Sequence, residues 1–195
     1  NFYLAQYRVG NKSVAMSEGL KLWTQGKSQP KTCDRLFGII IKEGKITEAV
    51  AWKRFNAALL AHNFQLARYL KRFLKTDKYK KLHQLYYDID RNPRRLKKNA
   101  ALSGDSAEEL QILEHGLSHL ARKNPNLALK HWSRYKLNHE FNHQAQAKVV
   151  SAIVKGLYKK GHQSAADSYF LDHLALLNQS LEGELTEWRI RQSLA

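Results

Sequence analysis

Apolar residues recur at helical spacing along nearly the whole chain, almost without period-two alternation, and this feature constrains the fold more than any other. Leu66, Tyr69, Leu70, Phe73 and Leu74 follow i, i+3, i+4, i+7, i+8 and mark one stripe of a helix, with Arg68, Lys71, Arg72 and Lys75 on the other side. Leu110, Leu113, Leu117 and Leu120 form a second stripe, and Val149, Val150, Ile153, Val154, Leu157 and Tyr158 a third. The spacing predicts an all-α chain of about eleven helices joined by short turns.

The turns repeat a pattern of their own. Gly10, Ser13 and Ala15 are echoed by Gly44, Thr47 and Ala49, by Asn63, Leu66 and Ala67, by Asn124, Leu127 and Ala128, and by Gly161, Ser164 and Ala166. Gly or Asn suits the left-handed position that closes one helix, Ser or Thr caps the next, and Ala lets two helices approach. The intervals are too irregular for a consensus repeat but fit a degenerate solenoid in which each helical hairpin buries its apolar face on its neighbours. The expected architecture is therefore a superhelical stack of helical hairpins, an α-solenoid that is U-shaped or a ring segment, occupying residues 1–195 as one domain.

With 43% hydrophobic residues, 10 Gly and 3 Pro in 195 residues, the chain can bury a core, which argues against disorder. A single cysteine, Cys33, excludes an internal disulfide and a Cys-rich zinc site. Apolar runs such as Ile39-Ile40-Ile41 fall far short of the ~20 residues a membrane span needs. The chain starts at Asn1 with no leader pattern, and reads as mature or as a piece of a longer product. Lys and Arg number 33 against 17 Asp and Glu, and the net charge of +16 favours an anionic partner. Positive charge is densest where Lys71, Arg72, Lys80, Lys81, Arg94 and Arg95 alternate with Tyr69, Phe73, Tyr79, Tyr86 and Tyr87, and the aromatics are read as packing residues.

Few strings suggest catalysis. His139-Glu140-Phe141-Asn142-His143 matches H-E-x-x-H, which on one helix could place two zinc ligands beside a general base, Glu140. Asn138, Asn142, Gln144 and Gln146 make that stretch polar and solvent-facing, and no strand pattern stands beside it to align a substrate. His115 and His119 share the i, i+4 spacing and are read as a solvated helix face. The carboxylates Glu43, Glu48, Asp77, Asp88, Asp90, Glu108 and Glu109 fall in early helix turns or on exposed faces, without the pairing that glycoside hydrolysis requires. No nucleophile elbow, phosphate-binding loop or calcium loop is present. The expectation is no catalytic residue, no metal and no other cofactor.

One segment stands apart. In Leu22-Trp23-Thr24-Gln25-Gly26-Lys27-Ser28-Gln29-Pro30-Lys31-Thr32-Cys33-Asp34-Arg35-Leu36-Phe37, Gly26 can end a helix and Ser28 or Thr32 can cap the next near Pro30. Asp34 suits a first turn, where the helix dipole favours an anion, and Leu36 and Phe37 enter the core. The string G-K-S-Q-P-x-x-C-D-x-L-F closely resembles the N-terminal superhelical region of the soluble lytic murein transglycosylases of Gram-negative bacteria. The specific match spans residues 19–44. Elsewhere only helical pattern matches, through Tyr3, Ala5 and Gly10, the Trp52 to Arg54 helix, Leu66 to Leu70 and Trp188 to Leu194.

In that family the region is a ring-forming stack of helices preceding a linker and a lysozyme-like catalytic domain. The resemblance implies a periplasmic protein whose partners are peptidoglycan glycan strands and its own linker and catalytic domains. The family's chemistry cleaves the β-1,4 bond from MurNAc to GlcNAc with formation of a 1,6-anhydro ring, using a Glu in an E-S motif within a domain that also carries G-L-M-Q. These 195 residues contain neither string, so the expected role is a non-catalytic scaffold. The resemblance also implies that Cys33 pairs with a cysteine upstream of the segment matching Asn1 to Tyr3. Nucleic acid is not expected as a partner. The alternative is a stand-alone helical-repeat adaptor that binds an acidic protein or nucleic acid.

Overall fold

The computed structural model describes residues 2–98 and 102–194, without the side chains of residues 97 and 98. Among the described residues there are eleven α-helices, four short 3-10 turns and no strand, which bears out the all-α expectation. The chain divides into two compact units, residues 1–83 and 84–195.

The first unit holds α1 (Phe2–Arg8), α2 (Lys12–Trp23), α3 (Asp34–Lys42), α4 (Glu48–Leu60), α5 (Phe64–Leu70) and the start of α6 (Asp77–Arg91). α1 and α2 pack together and on α3, and α4 packs on α5. Thr47 accepts a hydrogen bond from the Val50 N–H to start α4, and Asn63 accepts one from Leu66 to start α5. The Leu66 stripe does not continue as one α-helix. α5 ends at Leu70 and tightens into a 3-10 turn, Lys71–Phe73, so only Leu66, Leu70 and Leu74 of the five stripe residues are buried. Glu48, in the first turn of α4, accepts hydrogen bonds from the Lys75 and Thr76 N–H groups just before α6.

The second unit contains α7 (Ala107–Lys123), α8 (Pro125–Asn138), α9 (His143–Lys159), α10 (Gln163–Leu171) and α11 (Gln179–Ser193). Ser106 and Glu109 form a reciprocal capping box at the start of α7. Asn124, Asn142 and Asn178 cap α8, α9 and α11. α9 packs against α7, α8, α10 and α11. Its stripe from Val149 to Tyr158 is buried at all six expected positions, while in α7 Ile112 takes the core place expected of Leu110. Fully burying such a side chain contributes about 1.5–3 kcal/mol.

The turn pattern holds only in part. Gly10, Gly44 and Gly161 adopt the expected positive φ, of 95°, 68° and 75°. Asn63 and Asn124 instead begin the following helices, and His62 takes the left-handed position before α5 at φ 55°. Ser13 and Ser164 are not cap residues, since Asn11 and His162 stand at those N-cap positions and neither makes a side-chain cap bond.

Candidate functional site

The recognisable segment folds differently from its local reading. α2 ends at Trp23 with Thr24 as its C-cap, and Gly26 lies past that end. A Cβ on Gly26 would sit 2.2 Å from the Ala57 carbonyl oxygen, so the glycine is there for close approach to α4. Neither Ser28 nor Thr32 caps α3. A 3-10 turn, Lys31–Cys33, leads straight into the helix, whose N-cap, Cys33, makes no side-chain cap bond. Asp34 does occupy the first turn, and Leu36 and Phe37 are buried. Leu22, Gln29 and Cys33 are half-buried, whereas Lys27, Ser28 and Pro30 are exposed. Cys33 is a free thiol here.

These residues wall a cavity of about 280 Å³ lined by Trp23, Ser28, Gln29, Asp34, Phe37 and, from α4, Arg54. Sequence reasoning named Arg54 only as part of a helix, yet it is among the few buried charged residues, at 5% exposure. Its guanidinium lies 4.6 Å from the Trp23 ring centre and 5.9 Å from that of Phe37. Its Nε has no hydrogen-bond partner, and burial lowers its pKa. Ring quadrupoles therefore supply the attraction that a carboxylate would ordinarily give. The cavity thus sets a cationic, aromatic wall beside the Asp34 carboxylate and a polar rim, a combination suited to a small polar group.

The six basic residues singled out in the sequence are all exposed. Lys80 pairs with Asp77 at 3.6 Å and Arg95 with Asp88 at 3.2 Å, while Lys71, Arg72, Lys81 and Arg94 form no ion pair among the described residues. Lys71, Arg72, Lys80 and Lys81 belong to the first unit, and Arg94 and Arg95 to the second. Tyr79 and Tyr86 are packing residues as expected. Tyr69 is not, for it is 44% exposed and carries the Arg72 guanidinium 4.9 Å from its ring centre.

The histidines correct the sequence reading twice. His139 and His143 do not share a helix: α8 stops at Asn138, His139 is extended, and Asn142 caps α9. The string is a turn, so the zinc-peptidase geometry is absent for a stronger reason than polarity. Nor is the turn wholly solvent-facing. Phe141 is buried against Trp132, and the His139 side chain is tucked in with its Nδ1 2.9 Å from Asp105. His115 and His119, expected on a solvated face, are in fact half-buried beside Asp90, which sits near the end of α6 and neither in an early helix turn nor on an exposed face. His115 Nε2 lies 2.8 Å and His119 Nδ1 3.8 Å from the Asp90 carboxylate. Burial lowers the pKa of both imidazoles, against the opposing pull of Asp90.

This all-helical fold has counterparts among known proteins. No family model matches. The soluble lytic murein transglycosylase of Salmonella typhimurium is 25% identical over 198 aligned residues, covering 100% of this chain and 30% of that enzyme. That of Escherichia coli K12 is 27% identical over 123 residues, or 63% of this chain and 19% of the enzyme. Among solved structures, an inactive mutant of the lytic transglycosylase Slt from Pseudomonas aeruginosa superposes with TM-score 0.79 and 28% identity, covering 98% of this chain and 30% of that one. The 70-kDa soluble lytic transglycosylase of Escherichia coli shares the fold at TM-score 0.60 and 20% identity, over 98% of this chain and 28% of that one. The similarity to soluble lytic murein transglycosylases therefore runs along the whole chain in sequence and backbone alike. The chain spans less than a third of the length of these relatives.

Proposed function

We propose that this chain is a non-catalytic helical scaffold region of a periplasmic lytic murein transglycosylase, serving an enzyme that cleaves the MurNAc to GlcNAc β-1,4 bond with 1,6-anhydro product formation. The observation that carries this reading is the likeness to the Pseudomonas aeruginosa lytic transglycosylase along 98% of the chain. The proposed partners are peptidoglycan glycan strands and the linker and catalytic domains of the same enzyme. A complex of the 70-kDa soluble lytic transglycosylase with bulgecin A is known, and this chain matches 28% of that enzyme.

The scaffold's own contribution is electrostatic. A net charge of +16 attracts strands that carry carboxylates on lactyl groups and peptide stems. Lys71, Arg72 and Lys81 are exposed with no carboxylate partner among the described residues, so their charge is available to a ligand. Reversing Lys71, Arg72, Lys80 and Lys81 to Glu is expected to reduce binding of this chain to purified sacculi several-fold at near-physiological salt, with the loss shrinking as salt rises. Sedimentation of the variant with sacculi at wild-type levels would remove the electrostatic role and leave the charge to solubility or contact with other domains.

A further inference from the structure

We propose that Asp90, His115 and His119 form a three-donor site for a borderline divalent transition-metal ion, zinc above all. His115 and His119 stand one helical turn apart on α7, so their imidazoles share a face. Asp90, near the end of α6, meets that face, and all three donor atoms lie within 4.8 Å of one another.

The distances suit a metal. Ligands held ~2.0–2.2 Å from a tetrahedral ion lie ~3.3–3.5 Å from one another. The Asp90 oxygen is 2.8 Å from His115 Nε2 and 3.8 Å from His119 Nδ1, and those values bracket the requirement. Side-chain rotations that move these atoms by about half an ångström would equalise them. The pocket is also half dry, with side-chain exposures of 15% for His115, 18% for His119 and 29% for Asp90.

Two features favour an ion over a simple hydrogen bond. His119 Nδ1 is buried without a hydrogen-bond partner, a cost that a coordinate bond would remove. The Tyr86 ring stacks on His115 with centres 4.6 Å apart, which holds that imidazole facing Asp90. Arg122 and Lys123 oppose a cation at this place and Glu114 assists one, although Glu114 is engaged by Lys148 at 3.0 Å. Two nitrogens and one oxygen suit zinc, nickel or copper and do not suit magnesium or calcium, which take oxygen ligands. Three protein ligands leave the fourth position to water or an incoming group. A bound ion would tie the end of α6 to α7.

The test is zinc titration of the 195-residue chain by calorimetry, with metal content after dialysis and cobalt(II) absorption as second readouts. The expected result is one equivalent of zinc bound in the micromolar range or tighter, a tetrahedral cobalt spectrum, and no response to magnesium. His119→Ala and Asp90→Asn should each weaken binding more than tenfold, while the double variant His139→Ala, His143→Ala should leave it unchanged. Asp90→Asn keeps the shape of the side chain and remains readable if His119→Ala folds poorly. Absence of zinc binding at 100-fold excess would overturn the proposal. So would binding that survives both Asp90→Asn and His119→Ala, leaving the contact as a hydrogen bond alone.

Discussion

At the scale of single residues, Arg54 and His83 show how this chain tolerates polar groups in its core. Arg54 rests on Trp23 and Phe37, and its burial is tolerated because its charge faces π-clouds. His83 is buried against Phe55, their ring centres 5.1 Å apart. Burial, with the nearby Lys71 charge second, pushes the His83 pKa below its ordinary 6.5. The folded state therefore keeps His83 neutral where the unfolded chain begins to take up a proton. Its contribution to stability is complete above pH 6.5 and is lost as pH falls through the lowered folded value. Urea unfolding from pH 7.5 down to 5 should show declining stability, and His83→Gln should flatten that decline. An equally steep profile in the variant would assign the slope to His115 and His119, whose pKa values are also lowered.

At the scale of elements, glycines decide where two helices or a turn can touch. A Cβ on Gly156 of α9 would lie 2.2 Å from the Ala121 carbonyl oxygen of α7, the same clash that Gly26 avoids against Ala57. Backbone oxygens cannot rotate aside. Gly156→Ala and Gly26→Ala should each destabilise by about 1–3 kcal/mol in denaturant melts. Gly183→Ala in α11, where a Cβ meets nothing within 4 Å, should gain up to about 1 kcal/mol from helix propensity. The stripe in α9 was legible because all its positions face one core. The Leu66 stripe misled beyond Leu70, because a 3-10 turn carries apolar residues at spacings that imitate an α-helix. Asn142 was the overlooked signal in the H-E-x-x-H string, being a strong N-cap residue immediately before His143. The Asp90, His115 and His119 cluster had only half a local signal. The i, i+4 histidines were visible, but their carboxylate lies 25 residues upstream of His115, on another helix. The cavity beneath the motif was illegible for the same reason, since Arg54 reaches it from α4.

At the scale of the whole molecule, helix content and charge could be read directly, because both are sums over residues. How many cooperative blocks the chain forms is not such a sum. We propose that residues 1–195 behave as one domain, on the strength of the helical pattern that runs along nearly the whole sequence. Scanning calorimetry should then give a single transition whose van't Hoff and calorimetric enthalpies agree. Two resolved transitions would make each unit a domain of its own.

The position of α9 also bears on how such a chain is born. It is the helix against which α7, α8, α10 and α11 all rest, yet it follows α7 and α8 in the chain. During synthesis from the N-terminus, α7 can pack on α8 and on the preceding Pro93–Lys98 turn, but the faces that rest on α9 stay uncovered until His143–Lys159 has left the ribosome. That interval is when a nascent chain of this sequence most needs a chaperone.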